Sequence, residues 1–89
     1  ASTEDYALKL ATQVREQYNT TWGLSETGAT GPTGNAYGDA AGHACFALVG
    51  PVRETLTLET GSTDREANMW AFTKTALELL KSSIANTTS

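Results

Sequence analysis

The segment that most constrains this chain is residues 42–49, GHACFALV. After His43 both alternating faces are apolar, the pattern of a central strand covered on its two sides. A chain carrying such a strand must find flanking strands and two covering layers in the rest of its sequence. Gly50-Pro51 turns the chain, and residues 53–60 alternate, with Leu56 and Leu58 opposite Thr55, Thr57 and Glu59. That alternation predicts a half-exposed strand hairpinned to the central one. Residues 21–27 read as a short strand with Trp22 and Leu24 on one face. Two helices supply the cover. Over residues 2–18, Ala7, Leu10, Ala11, Val14 and Tyr18 share one stripe, Ser2 with Asp5 makes a weak capping box, and Asn19-Thr20 closes the helix. Gly61-Ser62-Thr63 leads into the second helix, with Thr63 as cap and Glu66 three residues on. Its expected buried stripe is Met69, Thr73, Ala76, Leu77, Leu80 and Ile84, before a polar tail from Ala85. The order is α-β-loop-β-β-α, without internal repeat or linker.

Size makes this arrangement thin. A chain of 89 residues is one small domain, and a domain that short buries only about 60% of the surface its unfolded chain exposes. Two helices barely cover a sheet with a doubly apolar centre, and the sheet's edges leave backbone groups unpaired. Such a chain is expected to assemble with copies of itself or with another chain, or to be part of a larger domain. One cysteine excludes an internal disulfide, and one histidine excludes zinc-finger spacing. The longest apolar run, residues 44–49, falls far short of the roughly 20 residues of a membrane span. Six Lys and Arg against ten Asp and Glu, net −4 and scattered, argue against a nucleic-acid binder. With 39% hydrophobic residues the chain is too apolar for disorder. A soluble α/β domain of a reducing, cytoplasmic compartment is the expectation.

Chemistry-bearing residues concentrate in two places. Residues 28–35, GATGPTGN, open a long loop in which glycines recur at 28, 31, 34, 38 and 42. Backbone N–H groups there are free of Cβ obstruction and can form a nest for an anion such as phosphate. The G-x-x-G-x-x-G spacing is neither the dinucleotide fingerprint nor the Walker loop, and a plain turn of turn-forming residues fits it too. The second place is residues 60–66, TGSTDRE. Arg65 lies in the first turn of a helix, where a cation opposes the dipole at a cost of a few tenths to about 1 kcal/mol. An anion bound there reverses that sign; an ion pair with Asp64, Glu66 or another carboxylate is the alternative. Glu26 ends the first strand at the mouth of the loop, placed either to contact a ligand or to cap the loop's own N–H groups. His43 and Cys45 share a strand face, with too few companions for a structural zinc, so His43 reads as a structural hydrogen-bonding residue and Cys45 as a small buried hydrophobe. Trp70 and Phe72 read as packing groups. No Ser-His-Asp or Cys-His arrangement is legible. Asn19-Thr20-Thr21 and Asn86-Thr87-Thr88 match the glycosylation sequon and carry little weight alone.

Taken in order, WGLSETGATGPTGNAYGDAAGHACFALVGP, TLETGSTDREANMWAF and ALELL resemble the C-terminal domain family of CinA, the competence/damage-inducible protein. The family's G-[IA]-A-G-P-x-G loop corresponds to residues 28–34. Its G-T-V-like strand corresponds to Gly42-His43-Ala44, and its G-D-R-type turn to Thr63-Asp64-Arg65. The resemblance runs from about Ser2 to Leu80, and the E-T-G, G-H and R-E-A-N-M variants are similar to eukaryotic, especially fungal, members.

The resemblance implies a three-layer α/β/α fold, here an incomplete α-β-β-β-α piece. It also implies nicotinamide mononucleotide amidase chemistry: hydrolysis of the amide to nicotinic acid mononucleotide and ammonia, with no metal or other cofactor. The family's glycine loop and turn arginine lie at the substrate site. The expected ligand contacts are therefore Glu26, Gly28, Thr30, Gly31, Gly34 and Arg65. Family domains are nearly twice as long, and their first half carries E-S-C-T-G-G, with the hydroxyl nucleophile, and Y-S-N-x-x-K, with a lysine. Neither string occurs here. Without them acyl transfer lacks its nucleophile, and no catalytic residue is assigned. The expectation is one domain over residues 1–89, equivalent to the C-terminal half of a CinA-type domain. It would bind nicotinamide mononucleotide or another phosphate-bearing small molecule, as a homo-oligomer or beside a companion chain carrying the other half. The rival is a catalytically silent interaction protein that self-associates or pairs with a second chain.

Overall fold

A computed structural model describes residues 2–35 and 38–88. The elements run α1 (Glu4–Tyr18), β1 (Gly23–Gly28), β2 (His43–Val49), β3 (Arg53–Glu59) and α2 (Arg65–Thr88). The strands form one antiparallel sheet in the order β1-β2-β3. The doubly apolar segment is thus the central strand, and everything from Ala44 to Val49 is buried.

Alternate residues of β2 feed two cores. On one face Cys45, Ala47 and Val49 pack with Ala7 and Ala11 of α1. On the other, Ala44 and Phe46 pack with Phe72 of α2, joined by Leu58, Ala76 and Leu79. This is the three-layer α/β/α arrangement. The α1 layer is built from small side chains, so backbones come close. A Cβ on Gly23 would collide with the carbonyl oxygen of Ala11, and the glycine permits that approach. Glu4 fastens the start of α1 to β3 by accepting hydrogen bonds from Thr55 Oγ1 (2.7 Å) and Thr57 Oγ1 (2.6 Å), which lower the pKa of its carboxyl. The α2 layer turns on an edge-to-face pair, Phe46 with Phe72, with centroids 6.2 Å apart and planes at 85°.

Several local expectations need correction. The N-cap of α1 is Thr3, whose hydroxyl accepts from Tyr6 N–H at 3.1 Å. Ser2 lies outside the helix because its side chain is bound elsewhere. Asn19 ends α1 in the left-handed region (φ 52°), as the sequence indicates. Tyr18, placed on the buried stripe, is exposed. The first strand starts at Gly23 rather than at residue 21. The cap of α2 is Asp64, which accepts from Ala67 N–H at 3.1 Å, and not Thr63.

The buried stripe of α2 is also rotated. Asn68, Phe72 and Ser83 are buried, with Ala76 and Leu79 against the core, whereas Met69, Thr73, Leu77 and Ile84 are exposed. Apolar residues occur all round this helix, so periodicity singles out no face. The aromatic pair and the hydrogen bonds of Asn68 choose it. Trp70, expected to pack, is 71% exposed.

Candidate functional site

The glycine loop leaves β1 on two ladder-like bonds, Ala29 N–H to the His43 carbonyl (3.0 Å) and Gly42 N–H to the Ala29 carbonyl (2.8 Å). Beyond them the chain turns at Gly31 (φ 99°), followed by a cis Gly31–Pro32 peptide bond. Of the three glycines at 28, 31 and 34, only Gly31 has positive φ. It also lies against the β3–α2 turn: a Cβ there would stand 2.8 Å from the Thr63 carbonyl oxygen. The loop backbone therefore touches the segment that opens α2. Among the described residues the N–H groups of Thr30, Gly31, Thr33 and Gly34 donate to no protein acceptor. An anion nest needs donors left free in this way.

Arg65 is the first residue of α2 and is exposed. The alternative of an ion pair with a neighbouring carboxylate is not what is observed: among the described residues its guanidinium has no hydrogen-bond or ion-pair partner. Asp64 is occupied as the cap. Glu26 stands opposite Phe46 in the strand register. The residue is exposed, and partial desolvation of its carboxyl raises the pKa. It makes no hydrogen bond to the loop, so it does not cap the loop's N–H groups, and no ion pair joins it to Arg65.

Two further groups organise the site and were not singled out as site residues from sequence. Asn68, 1% exposed, bonds to the glycine loop and to the β3–α2 turn together. The signal available was an asparagine one helical turn from the cap, at a position that a one-residue rotation of the expected stripe would have buried. At the far end of the loop, Asp39 accepts from Ser2 N–H (2.8 Å), Ser2 Oγ (2.8 Å) and Asn35 Nδ2 (2.7 Å). Burial opposes the charge of Asp39, yet these bonds outweigh it and lower its pKa. His43 Nε2 lies 3.0 Å from the Ser2 carbonyl oxygen and its Nδ1 2.8 Å from Glu59 Oε1, so one ring N–H donates in the neutral form and both donate in the protonated form. Those two bonds, the Ser2 carbonyl first, raise its pKa. His43 is thus structural, as expected, and Cys45 is a free, buried thiol. The described residues contain no cluster of His, Cys, Asp and Glu fit to hold a metal ion. None of their helices is long and apolar enough to cross a membrane.

The three-stranded antiparallel sheet covered by two helices is a fold shared with solved structures. A competence-damaged protein (CinA) superfamily protein from Escherichia coli superposes with a TM-score of 0.80 at 27% identity, over 90% of this chain and 46% of that one. A competence or damage-inducible protein from Enterobacter asburiae gives 0.75 at 28% identity, over 92% and 52%. A competence/damage inducible protein, CihA, from Agrobacterium tumefaciens has the same fold (TM-score 0.78, 24% identity, over 92% and 51%). No curated protein sequence matches significantly. The family model for the CinA C-terminal domain matches residues 1–84, and the chain belongs to that family. It spans about half the length of the solved chains it resembles.

Proposed function

We propose that this chain supplies the phosphate-binding part of a CinA-type site related to the nicotinamide mononucleotide amidases, and that it is not catalytic alone. The observation that carries the reading is the abutment of two features: loop N–H groups without acceptors beside a helix start that presents an unpaired cation. Each disfavours the free protein slightly, and a bound anion satisfies both at once. In this reading the backbone N–H groups of Thr30, Gly31 and Gly34 and the Arg65 guanidinium hold the phosphate, Gly28 ends the strand beside them, and Glu26 lies toward the rest of the ligand. The attacking hydroxyl and its activating lysine come from the other half of the domain, which lies outside these 89 residues. The ligand is nicotinamide mononucleotide or a close phosphate-bearing relative.

Calorimetry with nicotinamide mononucleotide and with inorganic phosphate tests this. Binding of the mononucleotide is expected in the assembled protein and is lost in Arg65→Ala; unchanged affinity in that variant removes Arg65 from the site. The chain by itself releases no ammonia from the mononucleotide, and measurable turnover by it alone overturns the division of labour.

A second reading has its own observation. Both β1 and β3 are edge strands of the sheet, and α2 exposes Met69, Trp70, Leu77 and Ile84. In it, the chain is an interaction protein that covers these surfaces by pairing with itself or another chain.

A further inference from the structure

We propose that Asn68 is a positioning residue of this site, holding the glycine loop and the start of α2 at the separation at which both serve one anion. The inference rests on the phosphate-ligand reading above. The Asn68 amide is almost completely buried and binds three residues in two segments. Its Nδ2 donates to the Thr30 carbonyl at 2.8 Å and to the Ser62 carbonyl at 2.9 Å, and its Oδ1 accepts from Thr60 Oγ1 at 2.5 Å. Both carbonyls can only accept, so the amide has one orientation that satisfies all three bonds. Among the described residues no other side chain hydrogen-bonds to residues 29–34. Thr30 leads into Gly31, and Ser62 precedes Thr63, the two points where loop and turn touch. A polar residue on the buried face of a helix is poor in propensity and costly to desolvate. Its three bonds offset that cost, and they set the spacing between loop and turn. A leucine of similar size fills the space and does not specify the spacing.

The test is Asn68→Asp, which keeps the shape and removes the donors. Ionised, the new carboxylate turns lone pairs toward the Thr30 and Ser62 carbonyls, and both anchors fail. Protonated, it regains one O–H donor. At neutral pH the expected result is a roughly tenfold or greater loss of amide-exchange protection at Ala29, Thr60, Ser62 and Asp64, the hydrogen-bonded amides of loop and turn, with β2 still protected. Affinity for nicotinamide mononucleotide is expected to fall by a similar factor. Both losses recover in part on acidification, measured against wild type at each pH. Thr60→Val removes the hydroxyl's bond to Asn68 and the acceptor of Ser62 N–H but leaves both carbonyl anchors of Asn68, and is expected to keep protection at Ala29 within about twofold. Wild-type protection and affinity in Asn68→Asp overturn the proposal. So does a loss spread evenly through β2 with no recovery at low pH. A wild type that binds neither the mononucleotide nor phosphate defeats the ligand reading, while the pH-reversible exchange pattern still decides the positioning role of Asn68.

Discussion

His43 faces two groups that can only accept, the Ser2 carbonyl and the ionised Glu59 carboxylate, so full satisfaction of its ring requires both protons. Its folded pKa is accordingly raised. The stability this contributes is complete below the unfolded value of about 6.5 and is lost as pH rises through the folded pKa. Asp39 behaves in the opposite sense. Its pKa is lowered, so its contribution is present above about 3.9 and is lost as pH falls through the folded value. Urea unfolding is therefore expected to show greatest stability in the mildly acidic range, between these limits. His43→Gln flattens the alkaline side, at a cost on the order of 1 kcal/mol below pH 6. An unchanged pH profile in that variant refutes the assignment. Sequence reading reached His43 as a structural residue because it begins the central strand. It could not reach Ser2 and Asp39 as its partners, since they stand 41 and 4 positions away and only folding joins them.

At the scale of elements, the five segments and their order were legible, because each carries its own period and turn residues. The rotation of α2 was not. Two aromatics two residues apart among similar apolar neighbours look alike in sequence; only Phe72 meets Phe46, whereas Trp70 is turned outward. Their substitutions should differ sharply. Phe72→Ala is expected to cost about 3–5 kcal/mol, the usual range for emptying an aromatic core site. Trp70→Ala is expected to stay within about 0.5 kcal/mol in the isolated chain. Thermal and urea unfolding of the two variants decide this, and equal losses would mean that α2 sits in another rotation. The loop's approach to the α2 start was legible only as two suggestive strings. That Gly31 touches the Thr63 carbonyl, and that Asn68 ties the two, is tertiary information.

The whole molecule is a 9.4 kDa chain with two small cores, an exposed apolar face on α2 and two sheet edges. A depression along α2 between Trp70 and Lys81, with Leu77 in its lining, shares no residue with the glycine loop. If the second reading holds, light scattering gives a mass above 9.4 kDa that rises with concentration, and Leu77→Glu lowers it. A monomer at all concentrations removes self-association and leaves another chain or the other half of the domain as the cover for that face.

What the amino-acid order determined alone was local: which segments are helices and strands, that 44–49 is a central strand, where the turns fall, and the family. Those properties follow from periodicity, caps and glycine positions, which act over a few residues. Only the tertiary structure decided the rotation of α2, the free state of Arg65 and the binding of Ser2, Asp39 and His43 into one cluster. These depend on which distant groups exclude water together, and hydrogen bonds between residues far apart in sequence leave no periodic trace in it.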